Sequence, residues 1–212
     1  MTSAPSPRRP YAPRLPADQR RDQLLDAALG IALDHGFHAV TVDGVARAAG
    51  VTRPVVYGLF ADRAELLSAL LDRSSRRAAE QLTGVLPEVP SPGEATDPDR
   101  LLVEGLTAFW RAVLTDRPTW RVILTPPEGA PAELRQRVDD QRRDSLRRLR
   151  RLVTWGLAAR GGPSGLDAEL FARSVLTLAE DGARLLLAGD GRFDVDRLGG
   201  FAERLMQALA RR

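Results

Sequence analysis

The stretch TVDGVARAAGVTRPVVYGLFADRAELL, residues 41–67, constrains this chain more than any other. Thr41 offers a side-chain oxygen suited to an N-cap. Behind it, Val42, Val45, Ala46 and Ala49 recur at helical spacing. Gly50 supplies the left-handed conformation that ends a helix at little steric cost. Thr52 is a second N-cap candidate, and Pro54 falls in the first turn of the next helix, where a missing N–H does no harm. That helix, Arg53 to about Leu59, carries Arg53, Val55 and Tyr57 beside the buried-type Val56 and Phe60. Asp62, with Glu65 three residues on, forms a capping box for a third, longer helix.

A helix, a glycine turn and a second helix is the arrangement that sets one helix in the major groove of DNA. The residues Thr41-Val42, Val45-Ala46, Ala48-Ala49-Gly50-Val51-Thr52, Tyr57, Phe60 and Glu65-Leu66 resemble the DNA-binding signature of the tetracycline-repressor (TetR) family. With the preceding helix the resemblance spans residues 20–70. Gly44 departs from it where an acidic residue is common. Leu59 departs where histidine is frequent, which leaves one phosphate contact of the family unassigned. The resemblance implies an all-α chain with an N-terminal three-helix DNA-binding domain and a helical C-terminal ligand-binding and dimerisation domain. It selects Thr41, Thr52, Arg53, Pro54, Val55, Tyr57 and Arg63 as DNA contacts. Arg53 and Tyr57 lie four apart and share a helix face. Val55 suits a thymine methyl, and Arg63, opening the next helix, suits a phosphate beside that helix's amides.

Around this motif the chain divides at its prolines and glycines. Residues 1–17 are rich in proline and arginine without periodicity, and read as a disordered basic arm whose Arg8, Arg9 and Arg14 either enter a minor groove or stay solvated. Residues 18–62 form the helix-turn-helix domain, its first helix running to His35 with Leu25, Leu29, Ala32 and Leu33 on one face and Gly36 ending it. A connecting helix follows over 63–83, then a proline-rich loop at 84–97. Residues 84–212 form the regulatory and dimerisation domain. Its helices begin at Asp97-Pro98, near Arg117, at Pro131, at Leu166 and after Asp194, and Gly161-Gly162-Pro163 ends the longest.

Composition closes several other routes. Hydrophobic content of 43% and charged content of 28% are ordinary for a globular protein. No apolar run reaches the ~20 residues that span a bilayer, and the N-terminus lacks a signal-peptide core. A cytoplasmic protein with no membrane partner is expected. With no cysteine, thiolate metal sites and thiol nucleophiles are excluded. His35 and His38 with Asp34 fall short of a metal-ligand pattern, and no GxSxG, GxxxxGK[ST] or GxGxxG motif occurs. No metal, cofactor or enzymatic activity is expected. The basic groups are all arginine, so a pI of 10.3 follows from a net charge of only +3. Eight arginines between Arg135 and Arg151 alternate with leucines and Asp139, Asp140 and Asp144, as on a solvated helix face.

In the C-terminal region, Phe109, Trp110, Trp120, Trp155 and Phe171 are core aromatics that, by the resemblance, also border an effector cavity. Ser174, Thr177 and Asp181 are its candidate polar groups. Phe171, Val175, Leu178, Gly182 and Leu185, with Leu198, Phe201, Leu205 and Leu209, form two stripes expected to pair with their mates in a homodimer, Gly182 allowing close approach. The expected whole is a repressor released from a near-palindromic double-stranded DNA operator by a small-molecule effector. Two alternatives stand beside it. One is a constitutive or architectural DNA-binding regulator without an effector. The other is an effector-binding module that has lost DNA binding, to which Gly44 and Leu59 point.

Overall fold

Capping residues, prolines and glycines set the helix boundaries of the computed structural model, which describes residues 15–91, 94, 96–159 and 166–210. Arg8, Arg9, Arg14 and Gly161-Gly162-Pro163 lie outside the described residues. The described residues hold helices and no strand. They are α1 (Ala17–His35), a 3-10 turn (Phe37–Ala39), α2 (Val42–Ala48), α3 (Arg53–Tyr57) and α4 (Arg63–Val85). Then come α5 (Pro98–Thr115), α6 (Arg117–Leu124), α7 (Ala132–Ala159), α8 (Ala168–Ala188) and α9 (Val195–Ala210). None is long and apolar enough to cross a membrane.

Local chemistry accounts for most of these starts. Asp62 Oδ1 accepts from the Glu65 amide at 2.8 Å, while Glu65 Oε2 accepts from the Ala61 amide at 2.6 Å. Asp97 and Asp167 cap α5 and α8, accepting from the amides of Asp99 and Glu169 at 2.9 and 2.8 Å. Each such cap satisfies a donor that the helix leaves free, a contribution of about 1 kcal/mol. Gly36 and Gly50 hold φ of 84° and 68°, where a side chain would be strained.

Two apolar cores result. Leu24, Ala28, Phe37, Val45, Val56, Phe60, Leu66 and Leu70 close the N-terminal head, which also takes in Val122 of α6 and Leu134 of α7. The body core gathers Leu106, Trp110, Val113, Leu149, Ala183 and Met206 around α5, which packs on α4, α8 and α9, while α7 lies along α8. The head is thus not separate from the body: α6 packs on α1 and α4, and the Phe37 amide donates to the Glu128 carbonyl at 3.0 Å. From the other side, nearly buried Arg73 of α4 donates to the Asp22 carbonyl at 3.0 Å and meets the Asp26 carboxylate at 2.8 Å, fixing α4 to α1.

Candidate nucleic-acid interface and effector cavity

The second helix of the motif is amphipathic over little more than one turn. Val56 is fully buried, whereas Val55 and Tyr57 are 37% and 55% exposed, which is uncommon for side chains of this size in a small core. Thr52, Arg53 and Pro54 are exposed on the same element. Phe60 anchors the far end, sealed in the core beneath the Arg21 guanidinium, which sits 4.5 Å from its ring centroid. Arg21 Nη1 also donates to the Leu59 carbonyl at 3.1 Å, so α1 grips the end of α3. Arg53 pairs with Asp43 of α2, which fixes its guanidinium at the edge of the exposed face.

Thr41 and Thr52 differ in what their hydroxyls do. Thr41 Oγ1 accepts from the Gly44 amide at 3.0 Å and so caps α2. Thr52 occupies the N-cap position of α3 with an extended backbone, but its side chain makes no capping bond. The Thr52 cap expected from sequence is therefore absent, and its hydroxyl faces solvent.

Arg63 is turned inward. Its Nε donates to the Val40 carbonyl at 2.5 Å and its Nη2 to the Phe37 carbonyl at 2.8 Å. The phosphate role expected of it gives way to a tether, because two carbonyls freed by the 3-10 turn lie within reach of the α4 start. Sequence offered no cue to this pairing across more than twenty residues.

In the body, a partly open cavity of about 100 Å³ lies among α4 to α8. Its walls are chiefly Leu82, Leu102, Leu106, Phe109, Trp120, Ile123, Leu149 and Val175, with Gln141, Arg142, Ser145 and Glu180 as the polar groups. Phe109 and Trp120 meet edge to face with centroids 5.1 Å apart. Trp120 Nε1 donates to Gln81 Oε1 at 2.7 Å, tying this wall to α4.

Several expected cavity residues lie elsewhere. Trp110 is fully buried, donates from Nε1 to the Ala179 carbonyl at 3.0 Å, and leaves no part of itself on the cavity wall. Trp155 is half-buried away from it, and Phe171 borders a separate crevice of about 20 Å³ with Pro98 and Leu152. Ser174, Thr177 and Asp181 are exposed on the outer face of α8, and Ser174 Oγ donates to its own helix at the Leu170 carbonyl. The cavity draws its polar groups from α7 and Glu180 instead. The signal available in sequence was Gln141, Arg142 and Ser145 within one turn of an otherwise arginine-rich face.

The proposed dimer stripes are also divided. Val175, Gly182 and Leu198 are buried within the subunit. A Cβ on Gly182 would fall 2.7 Å from Trp110 Nε1, so the close approach it permits is to its own chain's indole, not to a partner helix. Phe171, Leu178, Leu185 and Leu209 are half-buried, while Phe201 and Leu205 stand 50% and 37% exposed on the outer side of α9.

This all-helical fold, with its short exposed second helix, is the architecture of a helix-turn-helix regulator. Residues 24–70 match the sequence model of the bacterial regulatory proteins of the tetR family, and the chain belongs to that family. Over 60 residues it is 48% identical to the HTH-type transcriptional activator FasR of Mycolicibacterium smegmatis, covering 28% of this chain and 27% of that protein. The chain thus spans only about a quarter of the length of that curated relative. A TetR-like transcriptional regulator from Rhodococcus sp. RHA1 superposes with a TM-score of 0.70 at 25% identity, covering 93% of this chain and 96% of its own. FadR from Bacillus subtilis, solved in complex with stearoyl-CoA, has the same fold at TM-score 0.63 and 20% identity, covering 87% and 96%.

Proposed function

We propose that the protein is a homodimeric, sequence-specific DNA-binding repressor, released from a near-palindromic operator by a small molecule held in the body. The observation that carries this reading is the exposed Tyr57, Val55 and Arg53 on a helix anchored from behind by Val56 and Phe60. Apolar exposure of that kind, beside an arginine, suits the edges of bases and the thymine methyl. Exposed Phe201 and Leu205 on α9 supply a surface for the second copy, and two linked heads bind a two-fold site far more tightly than one. The cavity lies against Leu82 and Leu86 near the end of α4, the helix whose other end is tethered to the head through Arg63. Displacing that end tilts α4 and changes the spacing of the two reading helices, which must match half-sites about 34–36 Å apart.

Footprinting on the DNA upstream of the protein's own coding sequence, with and without candidate effectors, tests the reading. A protected, two-fold-related site that is lost on adding an effector is the expected result. No protected site at any protein concentration would reject it. Where the footprint falls relative to the promoter decides between repression and activation.

A further inference from the structure

The apolar cavity does not end at its leucines. An open groove of about 390 Å³ between α7 and α8 lies directly beside it, lined by Asp139, Arg142, Arg143, Leu146, Arg173 and Thr177. Arg142 and Leu176 belong to both walls. We propose that cavity and groove form one site for an alkyl chain ending in an anionic head, the chain among Leu106, Phe109 and Leu149 and the head on Arg142, Arg143 and Arg173. This deepens the effector-gated reading above and rests on it.

Three arginines against one lining carboxylate give the groove a positive field, whereas a purely apolar effector needs only the leucines. At present each arginine has a neighbour: Arg142 meets Glu180 at 2.7 Å, Arg173 meets Glu169 at 2.8 Å, and Arg143 pairs with Asp140. All three guanidinium side chains are more than half exposed, so these pairs are weakly held. A carboxylate or phosphate accepting several N–H bonds at once can replace them. Arg142 is the group that senses both parts, because Glu180, only 14% exposed, borders the cavity and keeps Arg184 at 3.6 Å when Arg142 leaves. Gln141 and Ser145, on the same stretch of α7, offer polar contacts at the junction of tail and head. About 100 Å³ is well below the ~300–1,000 Å³ of most ligand pockets, so a long chain enters only by moving walls such as Leu82 and Leu86. That movement is what couples this site to α4.

Titration of the full-length protein by tryptophan fluorescence, without DNA, tests the assignment with stearoyl-CoA, stearate, octadecanol and coenzyme A alone. The anionic chains should bind more tightly than octadecanol, and their affinity should fall with added salt. An Arg143→Ala/Arg173→Ala variant should lose about tenfold for the anionic chains and nothing for octadecanol. Leu176→Trp, at the half-buried junction, should weaken every chain-bearing ligand. A preference between stearoyl-CoA and stearate identifies the source of the head. Equal affinity for octadecanol, an unresponsive arginine variant, or coenzyme A binding as tightly as its stearoyl ester would overturn the proposal. Because the readout needs no operator, a protein that binds these ligands but no DNA refutes the regulator reading alone. Operator release by octadecanol but by neither anionic chain refutes this site alone.

Discussion

The head and the body are both helical, but they fill space differently. In the head, Leu24, Phe37, Val56, Phe60 and Leu70 are 0–1% exposed, and polar side chains lock the short helices by named bonds: Thr41 to Gly44, Arg21 to Leu59, Arg63 to Val40. In the body, leucines from five longer helices stop short of one another and leave a cavity. A part that must present side chains at fixed positions gains from dense packing and tethers. A part that must accommodate a ligand gains from walls with missing contacts, since those walls move at lower cost. Rigidity in one region and a hole in the other is the arrangement a ligand-gated reader requires.

The largest effect that would break this contrast is in the cores themselves. Leu70→Ala removes a fully buried side chain from the sealed head and should cost about 3–5 kcal/mol, since the surroundings cannot collapse around the void. Leu149→Ala removes one from the cavity wall, where contacts on one side are already lacking, and should cost only about 2–3 kcal/mol. Urea unfolding of both variants measures the difference. Equal losses would mean the body is packed as densely as the head.

Much of the head was legible because its determinants are local. Gly50 at positive φ, the Thr41 cap and the Asp62–Glu65 box each act over a few residues, and the helix limits follow from them. The body was legible as helices but not as faces. The α8 stripe Phe171, Val175, Leu178, Gly182, Leu185 shows that a side is apolar, but not whether it meets its own core, a cavity or a second chain. In the structure Val175 and Gly182 turn inward, while Leu178 and Leu185 stay half-buried. Gly182 carried a readable hint, since a glycine in such a stripe marks space taken by something large, here Trp110. Arg63 carried none, because its carbonyl partners are set by how the 3-10 turn packs against α4.

An effect of intermediate size separates reading from tethering within the head. Tyr57→Ala and Arg53→Ala should each weaken operator binding by about 1–3 kcal/mol and relax preference at one base pair, with melting unchanged, because both side chains project from the packed core. Arg63→Ala should do the reverse. Loss of two charge-assisted bonds should lower stability by about 1–3 kcal/mol while leaving the salt dependence of specific binding as it was. If Arg63 instead touches a phosphate, the slope of log affinity against log salt becomes shallower by about one. Gel shifts across a salt series, with thermal melts of the same proteins, read both quantities.

The smallest effect compares the two threonines that open the helices of the motif. Thr41→Ala removes a hydroxyl that accepts from the Gly44 amide, and should cost about 1 kcal/mol by leaving that donor without its protein partner. Thr52→Ala removes a hydroxyl with no capping bond from an exposed position, and should change stability by less than about 0.5 kcal/mol. On operator DNA the order should invert. The Thr52 hydroxyl is free to serve a phosphate or base edge at the start of the reading helix, whereas Thr41 Oγ1 is engaged as an acceptor. Denaturant midpoints and operator affinities of the two single variants give a two-by-two comparison. A Thr52→Ala protein that loses stability and keeps its affinity would place that threonine among the structural caps, and would narrow the reading face to Arg53, Val55 and Tyr57.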